Sequence, residues 1–334
     1  MKKTALLCLV YTLAVVTPLL AGSSRRGTAG ATFLTIPVSA RQVGMGMTGI
    51  ADAQGADAIL WNPARVAYTE ETSVTFTHVD YFADMSLDYI AGVKRIGELG
   101  VFGISFEYFT FGDIDVTTEL QPNGTGATIS PFDLAVGLVY GKQITDRAAF
   151  GFNVKMINES MRSVTARGFA VDLGFAFDTG VQGLQFGVAM VNYGPQMKYH
   201  GSGLNRQTNL DDFSPNASNN NVAVDASPFE LPSSVRMGVS FDPFVGYASG
   251  LKFNMEQYVN AFASNNTNFG AEYDLRDALF LRGGYNANND YDGGMTFGGG
   301  LRGSMSGLDC SFDYAYMDMG MLEQAHRITF KLDF

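Results

Sequence analysis

The feature that most restricts what this chain can become is an alternation of period two whose apolar side is largely aromatic. In residues 101–109, Phe102, Ile104, Phe106 and Tyr108 point one way while Gly103, Ser105 and Glu107 point the other. Phe150, Phe152, Val154 and Met156 repeat the pattern against Gly151, Asn153 and Lys155, and Phe169, Val171, Leu173, Phe175 and Phe177 repeat it against Ala170, Asp172, Gly174 and Ala176. Further strands follow it at Phe186/Val188/Met190, Val235/Met237/Val239/Phe241 and Leu308/Cys310/Phe312/Tyr314/Tyr316. A period of two is the strand signal. After the N-terminal stretch there is no run of ~18 apolar residues, so no transmembrane helix is expected. Charged residues make up 16% of the chain, below the roughly 25% of soluble domains. A chain of strands enters hydrocarbon only when every backbone N–H and C=O is paired, which requires a closed barrel.

A soluble β-sandwich would alternate too, but its outward face would not be built from Phe and Tyr with Gly, Ala and charges opposite. That division fits a lipid-facing band with aromatic girdles around a polar lumen. The end of the chain, "HRITFKLDF", places Ile328, Phe330, Leu332 and Phe334 on one face. It resembles the assembly signal by which bacterial outer-membrane barrels are recognised by their insertion machinery. Strands are expected near 72–79, 85–95, 99–117, 129–143, 147–162, 165–178, 182–194, 231–242, 250–262, 266–275, 277–286, 293–303, 307–318 and 324–334. The connections "RIGE", "ITDR", "DTGVQG" and "LRDA" are tight, and between them lie longer loops, above all 195–230. Short turns on one side, long loops on the other and an even count of fourteen put both barrel ends in the periplasm. The expected fold is therefore an all-β, transmembrane antiparallel barrel of about 14 strands.

The first residues fit an exported barrel. Lys2 and Lys3 precede an apolar stretch from Ala5 to Leu20, followed by Ala21, Gly22 and Ser23, the order of a secretory signal peptide. Residues 1–21 are read as that peptide, 22–70 as a segment preceding the barrel, and 71–334 as the barrel itself. Loss of the peptide removes Cys8 and two lysines, so Cys310 stands without an intramolecular partner and the formal charge moves from −11 to −13. An acidic exported chain lacks the basic footprint of a nucleic-acid binder.

Several motifs invite chemistry and do not sustain it. "GMGMTG" spells G-x-G-x-x-G with Gly44, Gly46 and Gly49, but dinucleotide binding needs a βαβ unit around it. "GGGLRG" at 298–303 lacks the Lys-Ser/Thr pair of a phosphate loop, and its glycines are read as letting strands thin or bend. His78, His200 and His326 are scattered over an early strand, a long loop and the last strand, with no nucleophile elbow near them. "NANNDYDGG" at 286–294 carries oxygen ligands suited to Ca²⁺, yet the same residues build ordinary loops. No catalytic residue, metal or cofactor is assigned.

The inward faces carry more information. Glu107, Lys155, Asp172, Arg236, Lys252, Glu256, Arg282, Arg302 and Asp313 alternate with apolar neighbours and belong in a wet lumen or against a plug. Fourteen strands enclose more space than their own side chains fill, since ~8 already make a packed interior. The segment before the first strand is the natural occupant.

That segment contains "ARQVGMGMTGIADAQGADAILWNPA". It resembles the N-terminal signature of the PorV/PorQ proteins, a branch of the FadL-type outer-membrane barrels: Ala-Arg, Gly-Met-Gly, an Ala/Asp-rich stretch and then Trp-Asn-Pro-Ala. "VGLVYGKQITDRAAFGFNVKMI", "FAVDLGFAF" and "MVNYGPQMK" resemble the family's strands as well. The resemblance implies fourteen strands and an N-terminal hatch in the lumen, holding Arg41, Gly44, Gly46, Gly49, Asp57, Trp61, Asn62, Pro63 and Ala64. Two departures stand out: the residue after Asn-Pro-Ala, commonly Gly in the family, is Arg65, and the acidic pair before the motif is reduced to Asp57.

PorV-like members act with the type IX secretion system and engage exported proteins at the cell surface, whereas FadL-type channels pass hydrophobic small molecules. The resemblance favours the first role, with the channel as the alternative. A third class, an outer-membrane hydrolase, rests only on scattered Ser, His and Asp. The partners implied are outer-membrane lipid, the barrel-assembly machinery, and either secretion components with exported proteins or a hydrophobic ligand, all at the bacterial outer membrane.

Overall fold

The structure, a computed structural model, describes residues 25–181, 183–208, 220–247, 249–287, 294–305 and 307–334. The expected signal peptide, the middle of the 195–230 loop and most of the 286–294 stretch lie outside the described residues.

All fourteen expected strands form: β1 Thr72–Asp80, β2 Ser86–Arg95, β3 Val101–Thr110, β4 Phe132–Thr145, β5 Ala148–Met161, β6 Val164–Asp178 and β7 Leu184–Tyr193. The second half comprises β8 Ser234–Phe241, β9 Ser249–Asn260, β10 Asn266–Leu275, β11 Leu279–Ala287, β12 Met295–Met305, β13 Leu308–Asp318 and β14 Gln324–Asp333. Each pairs antiparallel with its neighbours, and β1 pairs with β14 from Ser73↔Asp333 to Asp80↔His326, so the sheet closes on itself. Closure removes the free edge and pairs the backbone groups that lipid cannot satisfy. Phe106 is 41% exposed while its neighbours Ser105 and Glu107 are each 4% exposed. The aromatic face is thus the outer, lipid-facing face of a transmembrane barrel. Cys310 and the Ile328–Phe334 series sit on that side.

The third strand is shorter than its alternation suggests. It ends at Thr110, and Ile114–Asp115 pairs instead with Thr128–Ile129 in a small separate hairpin. Gly112, at φ +73, separates the two. The contrast between short turns and long loops also has an exception, because β5 and β6 are joined on the long-loop side by a tight turn with Arg162 at φ 53. Between β6 and β7 the register shifts between Val171 and Leu173, opposite Asn192 at φ 59.

Residues 25–71 precede the wall. They contain a 3₁₀ turn Thr32–Thr35, helix α1 Ala40–Gly44, a 3₁₀ turn Gly55–Asp57, helix α2 Ala58–Trp61 and a 3₁₀ helix Pro63–Tyr68. Helices this short are unstable alone, and here packing holds them. Ala40, Val43, Met45, Ile50, Ala53, Ala56, Ile59, Ala64 and Val66 are all 0% exposed. The segment starts beside the long loops, where the Gly27 N–H donates to the Phe262 carbonyl, and reaches the short-turn end at Thr72, whose backbone pairs with Phe334.

Candidate functional site

The contacts between this segment and the inward faces of the strands form a densely bonded, buried polar region. Three sets of residues make it.

The first set is the glycine run. Gly46 has φ +73, and a Cβ there would collide with the Phe269 carbonyl of β10. Its N–H donates to Thr296 Oγ1 of β12 at 2.9 Å. A Cβ on Gly44 would meet the Cα of Gly298 at 3.0 Å, so two glycines let segment and wall touch backbone to backbone. The N–H groups of Gly49 and Ile50 donate to Glu256 Oε2 of β9 at 2.8 and 3.1 Å. The glycine spacing thus serves close packing against β9–β12, where Gly270, Gly284 and, from "GGGLRG", Gly298 supply the wall's half of the contact.

The second set is charged. Arg41 Nη2 lies 2.9 Å from Asp52 Oδ2 and 3.0 Å from Glu272 Oε1 of β10, with Nε 3.0 Å from Glu272 Oε2. Arg282 of β11 reaches Glu272 Oε2 at 2.6 Å and also binds Asp313 of β13. Asn254 Nδ2 donates to Asp52 Oδ1 at 2.8 Å, and Lys252 Nζ stands 3.8 Å from Asp52 Oδ2. Burial alone would raise the Asp52 carboxyl, but Arg41 and then Lys252 hold it below the usual range. The tie between segment and wall therefore runs through Arg41, Asp52 and Glu272, of which only Arg41 stood out in the sequence. Asp57 forms no ion pair among the described residues: its Oδ2 accepts from Ser39 Oγ at 3.2 Å, and burial pushes its carboxyl up despite Lys331 and Thr75 of the wall.

The third set surrounds Trp61, which is 3% exposed and packs where a Cβ on Gly49 would approach its ring at 2.9 Å. Asn62 Nδ2 donates to the Ile50 carbonyl at 2.8 Å and to the Phe175 carbonyl of β6 at 3.0 Å. Asn62 Oδ1 caps the 3₁₀ helix by accepting from Ala64 N at 3.1 Å, with Pro63 at its first position, where the missing N–H costs nothing. Pro63 and Ala64 lie against Gly151 of β5 and Gly174 of β6. Arg65 needs no glycine-like backbone: it continues the 3₁₀ helix, donates from Nε to the Ala53 carbonyl at 3.2 Å and stacks on Tyr68.

The remaining inward charges fall where the alternation puts them. Lys155 Nζ is 2.9 Å from Asp172 Oδ1 and also donates to Asn192 Oδ1, while Asn192 N donates to Asp172 at 2.7 Å. These contacts pin the irregularity between β6 and β7. Arg236 stacks on Tyr258, and Arg302 stacks on Phe280 in an exposed position near the short turns. Glu272 and Arg327 were absent from the expected set although their parity marks them as inward: Glu272 alternates with Ala271 and Tyr273, and Arg327 with His326 and Ile328. The histidines do not converge, for His78 meets Asp88 and His326 meets Tyr314 on the outer face, while His200 lies in a two-residue strand that pairs with Thr165 of β6.

Between the segment and the upper wall lies a cavity of about 200 Å³, reached by Leu60, Trp61, Tyr81, Lys155, Arg236 and Met319. Its walls mix apolar and charged groups on the side of the long loops.

Comparison with solved structures supports the architecture. The toluene transporter TodX of Pseudomonas putida aligns with a TM-score of 0.54 at 12% identity, covering 87% of this chain and 96% of that one. The Ralstonia pickettii toluene transporter TbuX gives 0.53 at 14% identity, with 88% and 96% covered. A Pseudomonas aeruginosa FadL homologue gives 0.52 at 12% identity, with 89% and 98% covered. At such identities the likeness is one of fold. No curated protein matches the sequence. The family model described as type IX secretion system protein PorV matches residues 21–214. That is more than half of the chain and includes the whole Arg41–Ala64 region, so the chain belongs to the PorV family of outer-membrane β-barrels.

Proposed function

We propose that the protein is a secretion-associated outer-membrane barrel that engages exported proteins at the cell surface, with residues 22–70 acting as a hatch in its lumen. The family match over residues 21–214 carries the reading. The geometry supports the hatch: Arg41, Asn62 and the N–H groups of Gly46, Gly49 and Ile50 all bond to the wall, on opposite sides of the lumen. A barrel closed in this way does not pass a folded protein through its lumen, which leaves the surface loops as the place for such a partner.

The test is deletion of this chain, followed by separate measurement of exported proteins on the cell surface and in the periplasm. Accumulation in the periplasm, together with co-purification of those proteins or of secretion components with the tagged barrel, is the expected result. Normal surface delivery overturns the reading. The mixed cavity beside Trp61 favours a second reading, a channel for hydrophobic small molecules. That reading predicts bound lipid or hydrocarbon in the purified barrel and slowed uptake in the deletion strain, with secretion intact.

A further inference from the structure

The lumenal cavity contains buried hydrogen-bonding groups that the fold does not use. Arg327 of β14 is 0% exposed, and its Nε donates to the Pro37 carbonyl at 2.7 Å. Its Nη1 and Nη2 have no partner, and no carboxylate among the described residues forms an ion pair with it. Elsewhere on the cavity wall, Asn268 of β10 and Asn286 of β11 stand directly opposite each other, 1% and 3% exposed, each with an unpaired Oδ1. The same cavity is lined by Lys155 and Arg236, against Glu107 as the carboxylate facing it.

A guanidinium stripped of water and given one neutral acceptor is among the costlier groups a protein can bury. A position that had only to be filled would be better served by the unbranched, uncharged side chain of Met. Segment packing does not explain the charge either, because Pro37 occupies Nε alone and leaves the fork of Nη1 and Nη2 unused. That fork matches a carboxylate at two points. Tyr81, Met317 and Met319 line the same cavity and offer apolar surface near it. The volume, about 200 Å³, lies below the roughly 300 Å³ where drug-sized pockets begin, so it suits a single ring better than a long chain.

We infer that this cavity is a binding site for a small organic carboxylate, held at two points by Arg327 Nη1 and Nη2 with its apolar body against Tyr81, Met317 and Met319. Both Nη atoms are closed to solvent, so the lining gives way locally as the ligand enters. The site stands whether the barrel's main cargo is protein or hydrocarbon.

Thermal unfolding of the full-length barrel in detergent, titrated with benzoate, toluene or inorganic phosphate, tests the assignment. Benzoate should raise the midpoint saturably, and toluene, the same ring without the charge, should not. Arg327→Met keeps the length and removes the fork. It should be no less stable than the parent without ligand and should weaken benzoate binding by at least about tenfold. If that variant does not insert, Arg327→Lys keeps the cation without the fork and should bind benzoate several-fold more weakly. An equal benzoate response in parent and variant, or an equal response of the parent to toluene, overturns the site. A phosphate response matching that of benzoate overturns its assignment to organic acids.

Discussion

The two sides of the lumen hold the same N-terminal segment by different physics. On the β9–β13 side a charged contact is added to the backbone approach at Gly44 and Gly46: Arg41 is shared between Asp52 of the segment and Glu272 of the wall, with Arg282 and Lys252 completing the balance. On the β5–β6 side, Pro63 and Ala64 press their backbone into Gly151 and Gly174, and one asparagine reaches the Phe175 carbonyl. The charged part of the first contact can loosen without losing shape, since long side chains can reorient and water can enter. The β5–β6 contact has no such reserve, because there backbone meets backbone with no ion pair between segment and wall among the described residues. A disturbance of the first should show as altered stability and pH response, and a disturbance of the second as failure to seat the segment at all.

The largest effect is therefore expected on the neutral side. Gly174→Val places side-chain atoms where Asn62 Oδ1 and the Ala64 N–H already stand. Overpacking against backbone has no easy relaxation, so the variant should lose the seated segment. Protease cleavage within residues 40–68, absent in the parent, should appear while heat-modifiable barrel persists. A protected segment would show that the contact is softer than its geometry.

Next in size is Arg41→Ala, which leaves Asp52 and Glu272 facing each other with Lys252 and Arg282. Breaking one partner of a buried network costs roughly 3–5 kcal/mol, read as a lower unfolding midpoint in detergent. The double variant Arg41→Ala/Asp52→Ala should recover part of the loss, because one stranded carboxylate is gone. Equal losses in single and double variants would remove Asp52 from the network. Trp61→Ala should cost about 3 kcal/mol through the cavity it leaves, with no change in protease access at the Pro63–Tyr68 end.

Much of this arrangement was legible in the sequence because in a barrel each side chain's environment is set by parity. Phe102, Phe106 and Phe330 point to lipid, and Glu107, Lys155 and Asp172 point inward, for that reason alone. The same rule reaches Glu272 and Arg327. What parity could not supply was pairing inside the segment. In "ADAQGADA" two aspartates sit among alanines, and nothing local says that Asp52 meets the arginine while Asp57 turns to Ser39. That choice depends on where α1 comes to rest against β10 and β11, a contact more than two hundred residues apart in sequence. The end of β3 escaped for a similar reason: alternation continues past Thr110, but Gly112 turns the chain into a separate hairpin.

A smaller effect is expected where the wall closes. Thr72 and Phe334 exchange backbone hydrogen bonds at 2.8 Å, and the Phe334 side chain is 49% exposed on the outer face. Phe334→Ser leaves the backbone pair intact and removes only outward aromatic surface. It should reduce the amount of heat-modifiable barrel in the outer membrane without changing the unfolding midpoint of the barrel that does insert. Unchanged levels would remove Phe334 from the assembly signal.

The smallest expected effect is also the sharpest comparison, because the two aspartates respond to acid with opposite sign. Asp52 has a depressed carboxyl, so its contribution is present above the unfolded value near 4 and is lost as pH falls through the lower folded value. Asp57 has a raised carboxyl, so its contribution is complete below that same unfolded value and is lost as pH rises through the higher folded one. Going from neutral pH down to about 4, the parent should therefore gain slightly from Asp57, and further acidification should cost it the Asp52 contact. Asp57→Asn should abolish the gain and keep the loss, whereas Asp52→Asn should do the reverse. Midpoints measured across that range separate the two groups, since a purely structural role for either residue would shift the whole curve without changing its slope.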